Sequence, residues 1–366
     1  MKLKSIYILP FNKESQEIIV SIGLISFLKS KYKKVAIFNP VKDIDTHSIN
    51  KNITTYCFTK EEIEELLSKN KYNEILEIII TKFKKLEEEY DFIQIIGFDK
   101  FKIELPFDLN LQIAKTLNSS IIAVLNGLNK SKQHIENELN IAIASINKAN
   151  ANYLGLFINN TNYKIDNCIA TIPTIKDLTI PTLHELYNQT DCKKIYGNNK
   201  NLNRKIHNIK ISAMRLEHFL TKIKDDDLIV VPSDRTDIIL ACALSLKAKK
   251  FPNISGIVLT GNFALDNIVI DIINSLEESN LVILQLNDDT YESVRKIQSI
   301  KATIQETSYS KIAQIIGQFN LHTNFYIIEE KLLSNNSNII TPIMFEYMLF
   351  KQAIFEKKHI VLPEPN

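Results

Sequence analysis

Five runs of apolar residues restrict this chain more than anything else in it. Ile6 to Leu9, Val35 to Phe38, Phe92 to Ile96, Ile121 to Leu125 and Tyr153 to Ile158 are short and rich in Ile, Val and Phe. Their hydrophobicity is continuous rather than alternating, so each strand is buried on both faces, which predicts a parallel sheet covered by helices on either side. Helical periodicity lies between the runs. Tyr72, Ile75, Ile79, Phe83, Leu86 and Tyr90 recur at steps of three and four, with Lys84, Lys85, Glu87 and Glu88 opposite them. Thr59-Lys60-Glu61-Glu62 reads as a capping box, in which the Thr hydroxyl and the Glu carboxylate each satisfy an orphan backbone donor. These signals place a doubly wound α/β domain over residues 1–190.

A polar stretch, GNNKNLNRK at 197–205, precedes a second and smaller α/β domain over 205–322. Its strands are expected at Leu228 to Val231, Gly256 to Thr260 and Leu281 to Leu286, with helices at Arg215 to Ile223, Asp237 to Lys247 and Asp266 to Ser275. Residues 323–366 read as a linker: a helix, a loop SNNSN at 334–338, a last helical stretch near Met344 to Phe355, and a short apolar strand at His359 to Leu362. A strand with nothing after it leaves its edge unpaired, which leaves open whether it ends this domain or begins a further one. The fold class is therefore two parallel-sheet, Rossmann-like α/β domains plus a carboxyl-terminal helical linker.

Charge and cysteine usage narrow the function classes. The 44 basic and 42 acidic residues nearly cancel to +2 and are interspersed, which gives no electrostatic footprint for nucleic acid. Cys57, Cys168, Cys192 and Cys242 form neither a C-x-x-C pair nor an extracellular framework, as expected in a reducing compartment. No run approaches the ~18 apolar residues of a membrane helix, and MKLKSIYILPFNKE has no signal-peptide cleavage site. A cytoplasmic protein without membrane partners is expected. The seven histidines are scattered, and the side chains of Asp225, Asp226 and Asp227 point in different directions, so no metal site is expected. No nucleophile-elbow motif occurs.

Two loops at strand ends are candidates for ligand chemistry. The first strand runs into PFNKESQEIIVSIGLISFL, where a nucleotide-binding domain carries its phosphate loop. That loop needs glycines, so that backbone N–H groups can approach the phosphates, then Lys and a hydroxyl residue. Only eight glycines occur in 366 residues, and none precedes Gly23 here; Lys13 and Ser15 stand without a cradle. No cofactor is expected. The second candidate is VPSDRTDIILACALSL at 231–246 with GIVLTGNF at 256–263. Both loops lie at the carboxyl edge, where open α/β sheets bind ligands. Ser233, Asp234, Arg235, Thr236, Thr260 and Gly261 are the candidate ligand-binding residues: an arginine, hydroxyls and a helix N-terminus suit an anion. The alternative is local structure, with Asp234 capping the helix and Arg235 pairing with Asp234 or Asp237.

Several segments, in order along the whole chain, carry a resemblance: FDLNLQIAKTLNSSIIAVLNG at 107–127, ISAMRLEHFLTKIKDDDLIVVPSDRTDIILA at 211–241, NISGIVLTGNF at 253–263, TYESV at 290–294 and TPIMFEYMLFKQAIFEKKHIVLPEPN at 341–366. Together they resemble the amino-terminal region of long bacterial phosphate acetyltransferases. The resemblance implies a first domain similar to the P-loop domains of dethiobiotin and cobyrinic acid synthetases, a second that is a DRTGG domain, and, from Ile360 onward, the first strand of the domain that converts acetyl-CoA and phosphate to acetyl phosphate and CoA. The chain would then be truncated at the start of that domain, with no catalytic residue of its own. It is expected to be inactive alone, to promote oligomerisation, and to tune a catalytic domain in cis or in trans. Against the family's degenerate phosphate loop, Asn12 and Gln16 replace glycines, Glu17 stands at the lysine position and Ile18 at the hydroxyl position. Asn262 stands where the family often repeats glycine after Gly261. The alternatives are a stand-alone small-ligand sensor using the 233–236 edge and a dethiobiotin synthetase-like ATP-dependent ligase.

Overall fold

The computed structural model describes residues 5–12, 15–42, 53–98, 106–248, 250–275, 280–304 and 308–334, with 345 and 349. The expected final strand, the loop residue Lys13 and most of the expected helix near Met344 to Phe355 lie outside them. The chain divides into two compact units.

Among the described residues the first unit holds seven strands: β1 (Ser5–Pro10), β2 (Val35–Val41), β3 (Thr54–Phe58), β4 (Phe92–Ile96), β5 (Ser120–Asn126), β6 (Tyr153–Asn159) and β7 (Ala170–Ile172). All pairings are parallel and the order is β3-β2-β4-β1-β5-β6-β7. The order reverses at β1, which pairs with β4 on one side and β5 on the other. The five apolar runs are the five central strands, and β1, β2 and β4 are buried along their full length. On one face lie α2 (Lys60–Ser68), α3 (Tyr72–Glu89), α4 (Pro106–Thr116) and α5 (Lys132–Lys148), whose apolar stripes join one core cluster. Thr59 and Glu62 form the capping box at the start of α2. The other face carries α1 (Glu17–Lys31).

The second unit, Lys176–Thr303, has the order β8-β12-β11-β10-β9, from β8 (Lys193–Tyr196), β9 (Asn208–Ile211), β10 (Asp227–Pro232), β11 (Gly256–Thr260) and β12 (Ile283–Gln285). β9 to β12 are parallel, while β8 is an antiparallel edge strand on β12. Strands that are consecutive and adjacent need right-handed crossovers, which put every connecting helix on one face. Accordingly α7 (Leu216–Leu220), α8 (Thr236–Ser245) and α9 (Asn267–Asn274) share one core, and α6 (Leu183–Gln189) with α10 (Thr290–Gln298) cover the opposite face.

The units meet in sequence at Ile175/Lys176 and Thr303/Ile304 rather than at 190 and 322. The first shift arises because Leu183, Leu186 and Cys192 belong to the second unit's core. The second arises because α11 (Tyr309–His322) and α12 (Phe325–Ser334) return to the first unit. Phe319 of α11 stacks on Phe157 of β6 with centroids 5.2 Å apart, and Phe325 of α12 stacks on Phe27 of α1 at 4.6 Å. Phe319 lies so close over Gly23 that a Cβ there would sit 2.1 Å from the ring.

Glycine scarcity shapes the turns as well. Six asparagines (Asn70, Asn118, Asn129, Asn150, Asn160 and Asn167) adopt positive φ, a conformation asparagine tolerates better than other side-chain-bearing residues.

Candidate functional site

Both sheets present a carboxyl edge. In the first unit that edge lies after β1, β5 and β6, at the position of a phosphate loop, and amide side chains fill it. Asn12 clasps Asn126: its Oδ1 accepts from the Asn126 backbone N–H at 2.9 Å, and its Nδ2 donates to Glu138 at 3.1 Å. Lys130 bonds both Glu138 oxygens at 2.7 Å. Asn159, fully buried, donates to the backbone carbonyls of Ser15 at 2.8 Å and Gln16 at 3.0 Å. Asn160 donates to the side chains of Gln16 at 3.1 Å and Asn126 at 3.0 Å.

The loop is thus held by its own carbonyls. A phosphate cradle works the other way, presenting backbone N–H groups to an external anion. Gln16, with φ 54°, leads into α1 without a side-chain cap. Glu17, buried at the first position of the helix, accepts the Ser15 hydroxyl at 2.7 Å. A helix N-terminus favours negative charge, and here the chain supplies a carboxylate of its own.

In the second unit the sequence-predicted residues come together in part. β10 and β11 are adjacent and parallel, so the loops after Pro232 and Thr260 lie side by side. Ser233 donates its hydroxyl to the Thr260 carbonyl at 2.8 Å, and its N–H to the same carbonyl at 3.0 Å. The Thr260 hydroxyl pairs with that of Thr290 at 2.9 Å. Gly261, at φ +83°, donates its N–H to the Asp288 carbonyl; that left-handed backbone suits glycine. Gln285 holds the Phe263 carbonyl at 2.9 Å.

Arg235 turns away from these groups. Its Nε and Nη2 each donate to a different oxygen of Asp237 at 2.9 Å, and Nη2 also reaches the Met214 carbonyl at 3.4 Å. The hydrogen bond from Arg235 holds the Asp237 carboxyl below the usual range, and the same bond raises the guanidinium. Local pairing of Arg235 is the reading the geometry bears out. Capping by Asp234 is not: α8 starts at Thr236, Arg235 occupies the cap position and no side chain caps the helix, while Asp234 is exposed.

Sequence reasoning missed Ser212, which follows β9 at the same edge. It is buried, and its hydroxyl has no hydrogen-bond partner among the described residues. Ile211 pairs in register with Val230, on the α6–α10 side of the sheet, so the next residue faces the α8 side. No sequence signal marks it, because a serine after a four-residue edge strand reads as a loop residue. Thr290, Gln285 and Asp288 were also missed; they join the edge only through sheet order.

Among the described residues no three His, Cys, Asp or Glu side chains gather to hold a metal ion, and no helix is long and apolar enough to cross a membrane. Cys57 and Cys242 are buried, and burial pushes their thiols up to about 12.

Residues 185–300 match the DRTGG domain model. The chain is 27% identical to phosphate acetyltransferase of Nitratidesulfovibrio vulgaris, over 98% of its own length and 56% of that protein's. It is 23% identical to the enzyme of Synechocystis sp. over the same shares, and 21% identical to that of Escherichia coli over 94% and 55%. The chain therefore spans just over half the length of these curated relatives. Among solved structures, the cell division ATPase MinD of Pyrococcus furiosus matches 48% of this chain and 85% of its own at 15% identity and TM-score 0.30. The CBS and DRTGG domains of the Clostridium perfringens pyrophosphatase regulatory region, complexed with diadenosine tetraphosphate, match 46% and 74% at 15% identity and TM-score 0.25. Residues 185–300 are a DRTGG domain, carried in a chain homologous to phosphate acetyltransferases over 98% of its length.

Proposed function

We propose that this chain serves as the non-catalytic, regulatory and oligomerising part of a phosphate acetyltransferase. The observation that carries this reading is the continuous similarity over 98% of the chain to 56% of the N. vulgaris enzyme. The first unit's phosphate-loop position supports it, because Asn12, Asn159, Asn160 and Glu17 occupy the place where an ATP-dependent ligase would hold its nucleotide. In this role the first unit is a scaffold. A regulatory small ligand would bind the DRTGG unit at the edge of Ser233, Asp234, Arg235, Thr236, Thr260 and Gly261.

The test is to assay purified residues 1–366 for acetyl phosphate formed from acetyl-CoA and phosphate. No turnover above background is expected. Turnover that survives removal of host acetyltransferase and follows the protein through purification would overturn the reading.

A further inference from the structure

We propose that the DRTGG unit is an insert in the chain of the first unit, closed at its neck by Glu185, so that it opens as one body while the first unit stays assembled.

The first unit runs to Ile175 and resumes at Ile304, and the second unit occupies the chain between. Insertion of this kind is tolerated where the two ends of the inserted piece lie close together. Here α6, at the entry, holds the exit. Thr182 and Glu185 form a capping box at the start of the helix. Glu185 Oε2 accepts the Thr182 N–H at 2.5 Å and the Thr182 hydroxyl at 2.8 Å. Its Oε1 turns to the last residue of the unit, accepting the Thr303 N–H at 2.6 Å and the Thr303 hydroxyl at 3.3 Å. At the far end of α6, Gln189 donates to the Lys301 carbonyl at 2.7 Å and accepts the Lys301 N–H at 3.1 Å. The entry segment is tied down as well: the Ile206 N–H donates to the Pro181 carbonyl at 2.7 Å, and the Leu183 N–H to the Arg204 carbonyl at 3.0 Å.

The capping box of α2 shows what is added. Glu62 is exposed, and its carboxylate accepts the N–H of Thr59, three positions away. Glu185 carries the same local motif but is 2% exposed, and it reaches 118 positions along the chain. Four donors from Thr182 and Thr303 match the acceptor sites of one carboxylate. Peeling the exit away would leave a buried charge without half of these donors, which costs more than losing an ordinary hydrogen bond. The neck therefore stays shut until the core behind it gives way, where Leu183 and Leu186 of α6 pack with Leu228 and Val230 of β10. A regulatory unit built in this way changes state as a whole without loosening the strands of the first unit.

Native-state hydrogen exchange on the full chain, over rising denaturant, tests this. In the wild type, the Lys301 and Thr303 amides are expected to open together with β10 and β11, and separately from β1, β5 and β6. Glu185→Gln keeps the shape but offers a single carbonyl oxygen, to Thr182 or to Thr303 and not to both. Thr303 should then exchange at least about tenfold faster relative to β10 and β11, as expected when hydrogen bonds to a charged group are lost. Gln189→Ala, at an exposed position, should release Lys301 in the same sense. Opening of β10 and β11 together with β1, β5 and β6 would overturn the insert. A Thr303 amide that stays with β10 and β11 in Glu185→Gln would overturn the clasp; should that variant not fold, an unmoved Lys301 in Gln189→Ala overturns it instead. Acetyl phosphate formation, assayed as above, reads the proposed function independently of either result.

Discussion

The two carboxyl edges of this chain stand at equivalent places on α/β sheets and are built in opposite ways. The edge of the first unit is closed by buried amides: Asn159 alone holds two loop carbonyls, and Glu17 puts a buried carboxylate at the start of α1. The edge of the DRTGG unit is assembled from hydroxyls and a half-exposed Arg235–Asp237 pair, with the Ser212 hydroxyl beside it lacking a partner among the described residues. Buried polar groups lock a conformation because leaving one unsatisfied is expensive, whereas a surface ion pair adds little. The first edge is therefore structural in its energetics. In the second, Ser233 and Thr260 are buried as well, so only the surface Arg235–Asp237 pair can exchange its partners at small cost.

The largest expected effect tests how the first unit is completed from behind. Phe319→Ala should destabilise that unit by roughly 3–5 kcal/mol, the usual cost of truncating a buried phenylalanine, since its ring fills the space left by Gly23. Hydrogen exchange should accelerate in α1 and β6 and stay unchanged in β10 and β11. Equal acceleration in both units would show that they unfold together and that energetics cannot be assigned unit by unit.

Next in size is Asn159→Ala, which removes two donors from buried carbonyls and should cost roughly 1–3 kcal/mol. Amides around Ser15 to Ile19 should lose protection first. If melting stays within a degree of wild type, the first edge is not locked by this network, and the contrast between the edges fails.

The smallest effect is expected for Arg235→Ala, at most about 1 kcal/mol for a half-exposed pair. Its pH dependence follows from the lowered Asp237 carboxyl. A carboxyl whose folded pKa is depressed stabilises the fold fully above its unfolded value of about 3.9, and that stabilisation is lost as pH falls through the folded value. The wild type should therefore lose its small advantage over Arg235→Ala below about pH 4. The same variant tests the proposed ligand edge. Any small ligand that raises the wild-type melting temperature, worth about 2.7 kcal/mol at a hundred times its dissociation constant, should do so less in Arg235→Ala. An undiminished shift would remove Arg235 from the site.

Much of the architecture was legible in the sequence. Continuous apolar runs force burial on both faces, and that alone leads to β1, β2, β4, β5 and β6 in a parallel sheet. The capping box at Thr59 and the strand–loop–helix context of Ser233 to Thr236 are local in sequence, so they could be read there. What is set by distant partners could not be read. Whether Asp234 or Arg235 occupies the cap depends on where α8 begins, and Arg235 had two aspartates within reach until backbone geometry chose Asp237. The short strands β3, β7, β8 and β9 carry weak patterns because each has only one neighbouring strand among the described residues.

Gly23 and Asn159 show the division most clearly. Composition by itself determined that glycine is scarce, that a phosphate cradle of the usual kind is missing after β1, and that asparagine would be available for left-handed turns. Only the tertiary structure decided that Gly23, inside a helix, would sit where Phe319, 296 positions further along the chain, leaves no room for a Cβ. Likewise, only strand order brings Asn159 to Ser15 and Gln16, more than 140 positions away. Local propensity and periodicity are properties of neighbours along the chain. The closing of an edge and the filling of a face depend on which distant segments the sheet order places side by side.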